Sequence, residues 1–252
     1  MDYPVVHIIG VAGLPEVHPG DDLASLIVQS AQSQGTPLVN GDIVVVTQKI
    51  VSKAEGRLVA LSTVEPSPFA REIARQWGKD PRQVEVVLRE SRRIVRMDHG
   101  VIICETRHGF ICANAGVDAS NIPGEGIVSL LPEDPDASAQ RIRQGIRERA
   151  GVTVAVLISD TFGRPWREGT TNVAIGVAGL HPLVDYRGQK DTYGKELRVS
   201  IAAVADEIAG AADLVMNKTT RVPVAIVRGY PYEAAPGSYR PLLREPAQDM
   251  FR

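Results

Sequence analysis

Apolar and polar positions along this chain follow two periods, and each marks a different element. Short runs rich in β-branched residues read as strands: the opening VVHIIGVAG, then DIVVVT (42–47), VTVAVLIS (152–159) and PVAIVRG (223–229). VTVAVLIS is the strongest of them, with the unbroken apolar character of a strand buried on both faces. DIVVVTQKIVSKAEGRLVAL (42–61) reads as two strand segments meeting near Lys49 to Lys53. RRIVRM, GVIICET and GFICANA form a meander whose turns fall at Asp98-His99-Gly100 and Arg107-His108-Gly109.

The helical period appears in DDLASLIVQSAQSQG (21–35), where Leu23, Leu26 and Ile27 share one face behind Pro19-Gly20-Asp21. Ser67-Pro68 opens a second helix over FAREIARQWG, and Asp134-Pro135-Asp136 caps a third that runs through RIRQGIRERAG. The Ala-rich ELRVSIAAVADEIAGAADLVM (196–216) reads as a helix along its whole length. Helices and strands mix without strict βα alternation, which predicts an α/β or α+β protein with mixed sheets and internal hairpins. No repeat and no linker marks a domain boundary, and the tail after Tyr230 reads as irregular.

Composition narrows the function classes. Of 252 residues, 44% are hydrophobic and 23% charged, as expected of a folded globular chain. Lys and Arg number 28 against 30 acidic residues, giving −2, so no basic excess favours nucleic acid as a partner. Cys104 and Cys112 are too few for a disulfide scaffold and lack zinc-site spacing. The N-terminus lacks a signal-peptide pattern, and no apolar run reaches the roughly 20 residues of a membrane span. These features lead us to expect a cytoplasmic protein with no membrane partner.

Three segments carry candidate chemistry. In ISDTFGRPWREGTTN (158–172) a buried strand is expected to stop at Asp160 and turn through Gly163 and Pro165. A carboxylate at such a strand end is placed to hold Mg²⁺ or Mn²⁺; Thr161 adds a hydroxyl, and Arg164 and Arg167 can neutralise phosphate or carboxylate. An Asp that only organises a turn explains the same residues. In NAGVDASN (114–121), Asp118 is a second hard-cation ligand and Asn121 a base or sugar contact, or the pair is an Asx-turn. Lys49 and Lys53 can reach a phosphate as point charges, or are merely solvated. The chain has no G-x-x-x-x-G-K-[ST] loop, G-x-G-x-x-G, G-x-S-x-G or H-E-x-x-H, and its five histidines form no ligand pattern.

Taken together, GLPEVHPGDDL (13–23), GDIVVVTQKIVSKAEGRLV (41–59), AGVDASN (115–121), LPEDPDASAQRIR (131–143), VTVAVLISDTFGRPWREGTTNVAIGVAGL (152–180), DTYGKEL (191–197), VADEIAGAADLVMNK (204–218) and VPVAIVRG (222–229) resemble the coenzyme F420-0:L-glutamate ligases. The resemblance implies a GTP-dependent ligase that adds one or more glutamates to coenzyme F420-0 through an acyl phosphate, releasing GDP and phosphate, with later glutamates γ-linked.

Carried over position by position, it implies a nucleotide site of Leu14, Pro15, Glu16, Val17, Gln48, Lys53, Asn121 and the loop Asn217, Lys218, Thr219, Thr220, Arg221, Val222 and Pro223. It places one divalent ion on Asp118 and Asp160, and a second near Thr161. Asp118, Asp160 and Arg164 are the catalytic candidates. A monovalent cation such as K⁺ is a further expected cofactor. Gln48 stands where relatives often have Ser or Thr, and a protonated Lys218 cannot be a metal ligand. The implied fold is two lobes of discontinuous segments in an intertwined homodimer. Because the sequence ends at Arg252, residues 1–252 are expected to form a single unit without the fused flavin-dependent domain of some relatives. The alternatives are a diverged metal-dependent phosphotransferase or GTP hydrolase, and a non-catalytic nucleotide-binding protein.

Overall fold

The computed structural model of the protein describes residues 3–249. The central sheet is built from β1 (His7–Gly10), β2 (Ile43–Thr47), β8 (Ala155–Arg164), β9 (Arg167–Ala178) and β12 (Val224–Arg228), in the order β1-β12-β2-β8-β9. Only the β2–β8 pair is parallel. The smaller sheets are β3 (Leu58–Ala60) with β7 (Ile127–Ser129), the meander β4 (Ser91–Asp98), β5 (Val101–Thr106) and β6 (Ile111–Ala113), and β10 (Val184–Asp185) with β11 (Ile201–Ala202). The helices are α1 (Leu23–Ser33), α2 (Gln48–Ala54), α3 (Pro68–Trp77), α4 (Pro81–Glu90), α5 (Pro135–Ala150) and α6 (Val204–Met216). The fold is therefore mixed α/β with several sheets.

Three helices start by one device. Ser67, Asp80 and Asp134 each accept a hydrogen bond from a first-turn N–H, and each is followed by a proline whose missing N–H costs nothing at that position. The central sheet's apolar strands, including the fully buried Ile43, Leu157, Ile158 and Ile226, form one core with α1, α5 and α6. A second buried cluster gathers α3, α4, the meander and β7 around Ile73, Val87, Ile102 and Val128.

Three expectations change. The chain around Lys49 and Lys53 is a helix, α2, rather than a strand junction: Ile50 and Val51 point into the core, and buried Ser52 donates to Gln48 Oε1 one turn earlier at 2.8 Å. Tertiary packing overrides the β-branched propensity there. Residues 196–203 are not helical. They pair back on 184–189, with Tyr186 N–H donating to the Ser200 carbonyl and Gly188 N–H to that of Leu197. Asp160 does not end its strand, because β8 stays paired to β9 on its other edge as far as Arg164, beyond the point where β2 stops at Thr47 opposite Ser159. The hairpin runs on as an exposed arm to a tight turn at Pro165-Trp166, where Trp166 adopts φ +56°. No helix among the described residues is long and apolar enough to cross a membrane.

Candidate functional site

The site forms where β2 ends and β8 continues. α2 leaves β2 at once, and Lys49 and Lys53, four residues apart, lie on one helical face. The Lys49 ammonium makes a very short contact to Asp118 Oδ2 and donates to the Ser120 carbonyl at 2.7 Å. Asp118 is held by its backbone, which exchanges two hydrogen bonds with Ser129 of β7, and by Ser120, whose N–H and hydroxyl donate to its carboxylate at 2.8 and 2.6 Å. The Asx-turn and the acidic site are thus the same structure. Burial works to raise the Asp118 carboxyl, but bonds from Lys49 and Ser120 outweigh it and hold the group below its ordinary range.

Asp160 has the opposite balance. Desolvation on β8 pushes it up to about 6, opposed by a hydrogen bond from the Thr161 N–H and by the charges of Lys49 and Lys218; Asp118 adds to the rise. The Cys112 thiol is pushed up to about 12 by burial and by the Asp160 charge. Lys49, Asp118, Asp160 and Lys218 are therefore electrostatic neighbours drawn from four distant segments.

Lys53 is buried, and its ammonium donates to Glu16 Oε1 at 2.6 Å, tying α2 to the Leu14–Val17 loop. Val17 is buried there, while Pro15 and Glu16 are exposed. Asn217 and Arg221 adopt positive φ in the loop after α6, and Asn217 Oδ1 accepts from the N–H groups of Thr219 and Thr220 at 3.1 Å each. Pro223 closes that loop onto the site by accepting from Thr47 N–H at 3.0 Å. Asn121 is exposed with φ +55°, three residues beyond Asp118.

The structure separates three of the candidate residues, Arg164, Arg167 and Thr161, from this cluster. Arg164 and Arg167 lie at the exposed tip of the arm, where Arg164 donates to the Glu168 carbonyl at 3.0 Å. Four residues of strand put Arg164 about 13 Å along the chain from Asp160. Thr161 faces away from Asp160, as successive strand residues do, and donates to Asn172 Oδ1 on β9 at 2.7 Å. Asn172, buried, donates in turn to Asp213 Oδ1 of α6 at 3.1 Å. Nothing in the linear sequence singled out Ser120, Asn172 or Asp213; only the cross-strand pairing of Thr161 with Asn172 and the helical face of α6 reveal them.

A hard divalent cation fits this donor set. The carboxylates of Asp118 and Asp160 are the oxygen ligands that Mg²⁺ and Mn²⁺ select, and a buried carboxylate raised to about 6 lacks full charge compensation. Among the described residues no group of three or more His, Cys, Asp and Glu side chains is gathered for a metal. Such an ion would thus depend on phosphate oxygens to complete its shell.

The profile of the family described as F420-0:Gamma-glutamyl ligase matches residues 12–229. The chain is 49% identical over 250 residues to the coenzyme F420:L-glutamate ligase of Methanothermobacter thermautotrophicus, covering 98% of this chain and 99% of that protein. It is 48% identical over 254 residues to the protein of that name from Methanopyrus kandleri, covering 99% and 98%. With the one from Methanocaldococcus jannaschii it shares 42% over 250 residues, covering 98% and 97%.

Proposed function

The chain belongs to the F420-0:gamma-glutamyl ligase family, and from that premise we propose that it joins L-glutamate to coenzyme F420-0 with cleavage of GTP. The observation that carries the reading is the convergence of Asp118 and Asp160 on Lys49, with Lys53 one helical turn further along the same face. In this reaction the terminal carboxylate of the precursor attacks the γ-phosphorus of GTP, the bond to GDP breaks, and an acyl phosphate forms. The α-amine of glutamate then attacks the acyl carbon, loses a proton and expels phosphate. Repetition on the side-chain carboxylate extends a γ-linked tail.

In this reading Lys53 exchanges Glu16 for the nucleotide's phosphates, as a desolvated ammonium suited to a point-charge contact. Residues 14–17, Gln48, Asn121 and the 217–223 loop line the nucleotide. Mg²⁺ or Mn²⁺ held by Asp118 and Asp160, with a second ion near Thr161, would supply charge neutralisation for the phosphate oxygens. Lys49 holds Asp118 in place, and its charge favours the ionised form of Asp160 beside it.

A homodimer accompanies the reading. The arm carries Trp166 at its tip, and Tyr193, Val199 and Leu214 expose 78–95% of their surface, which a second copy would cover. Arg164 enters a reaction site only if such a copy delivers its arm. A fully active monomer in sedimentation velocity would remove both the dimer and the Arg164 role.

The test is one incubation with GTP, Mn²⁺, K⁺, L-glutamate and F420-0, read by mass spectrometry with GDP followed alongside. The expected product is heavier by one or more glutamyl units, matched by GDP. GDP without a heavier product supports a hydrolase or phosphotransferase, and bound but uncleaved GTP a binding protein; either overturns the ligase.

A further inference from the structure

α6 meets β9 through two aspartates seven residues apart, on one face of the helix. Asp206 Oδ1 accepts from the Ala174 N–H at 2.9 Å, beside the register shift that opens between Ile158 and Ser159. Asp213 accepts from the Asn172 amide, and Asn172 accepts from Thr161. Gly210, between the two aspartates, lies against Thr171 and the Asn172 carbonyl. The hydrogen-bond directions follow from chemistry. A carboxylate only accepts, so Asn172 turns its NH₂ to Asp213 and its Oδ1 to Thr161, and the threonine must donate.

We propose that Asn172 and Asp213 are positioning residues that draw the Thr161 hydroxyl proton toward α6 and leave its oxygen lone pairs as a fixed ligand for a hard cation. A neutral hydroxyl binds a cation only through those lone pairs, so its proton must be held elsewhere. Without the relay, Thr161 is free to rotate and present its proton instead. Asn172 is 4% exposed, which shields the relay from competing water. The proposal rests on the reading of Thr161 as a metal ligand.

The test titrates Mn²⁺ into the 252-residue chain bound to a non-hydrolysable GTP analogue, with free Mn²⁺ read by electron paramagnetic resonance. Thr161→Val is expected to weaken Mn²⁺ binding at one site, and Asn172→Leu to weaken it about 10–100-fold, as loss of a ligand-orienting partner does. In the double variant Asn172→Leu should add nothing, because it acts only through Thr161. Asp213→Leu, half-buried on α6, gives the same reading should Asn172→Leu not fold. Normal Mn²⁺ binding in Asn172→Leu and Asp213→Leu, or additive losses in the double variant, overturns the relay while leaving the ligand reading intact. Unchanged binding in Thr161→Val overturns the ligand reading itself, and the relay with it.

Discussion

Asp160→Asn should stabilise the protein whenever divalent ions are withheld. In the folded chain this carboxyl is raised from 3.8 to about 6, chiefly by desolvation. Below about pH 4 both folded and unfolded chains carry it protonated. As pH rises the unfolded chain ionises first, so stability falls through the interval up to about 6 and then levels. At about 1.4 kcal/mol per pH unit the full penalty is about 3 kcal/mol, and at pH 4.5 it is about 1 kcal/mol.

Asparagine keeps the shape and removes the charge, at some loss in the bond from the Thr161 N–H. A net gain of about 2 kcal/mol at pH 7.5 corresponds to a melting temperature about 4–8 °C above the parent's for a chain of this size. The assay is thermal unfolding of both proteins in EDTA at pH 4.5 and 7.5, repeated at pH 7.5 with Mn²⁺. The gain should shrink at pH 4.5. Mn²⁺ at a hundred times its Kd should add about 2.7 kcal/mol to the parent and little to the variant, closing or reversing the gap. If Asp160→Asn melts at or below the parent in EDTA at both pH values, desolvation does not govern this carboxylate and the reasoning fails.

Lys53→Ala removes a buried ammonium assigned to the phosphates, a charged contact of about 1.5–3 kcal/mol. The KM for GTP should rise about 10-fold or more with that for glutamate nearly unchanged; equal rises in both would take Lys53 off the nucleotide. Gly176→Ala should cost about 2–3 kcal/mol in urea unfolding, because a Cβ there would lie 2.5 Å from the Pro135 carbonyl oxygen, a backbone atom that moves only with the start of α5. A loss below about 0.5 kcal/mol would mean that α5 does not pack on β9 at this point.

How far the sequence could be read depended on whether its signals were local. Ser67-Pro68 and Asp134-Pro135 announce α3 and α5 because cap, proline and first turn lie within four residues. Asp80-Pro81 carries the same chemistry and marks the start of α4 by the same rule. α2 was not legible, since QKIVSKA is helical only because the core receives Ile50 and Val51. Residues 196–203 look helical by composition, yet their backbone groups are taken by 184–189.

The site divides along the same line. Asp118 and Asp160 stood out as acidic residues after apolar strands, but Lys49, 69 positions before Asp118, is joined to it only by the fold. The stretch Ser159-Asp160-Thr161 reads as one motif and is physically two half-sites. Strand alternation sends Asp160 toward Asp118, Lys49 and Cys112, and Thr161 toward Asn172 and α6. Divalent chemistry that draws on both residues must therefore act at the edge of β8, beyond the point where the strand has lost β2 as a neighbour. The extension of β8 past Thr47, hidden in the sequence, is what creates that edge.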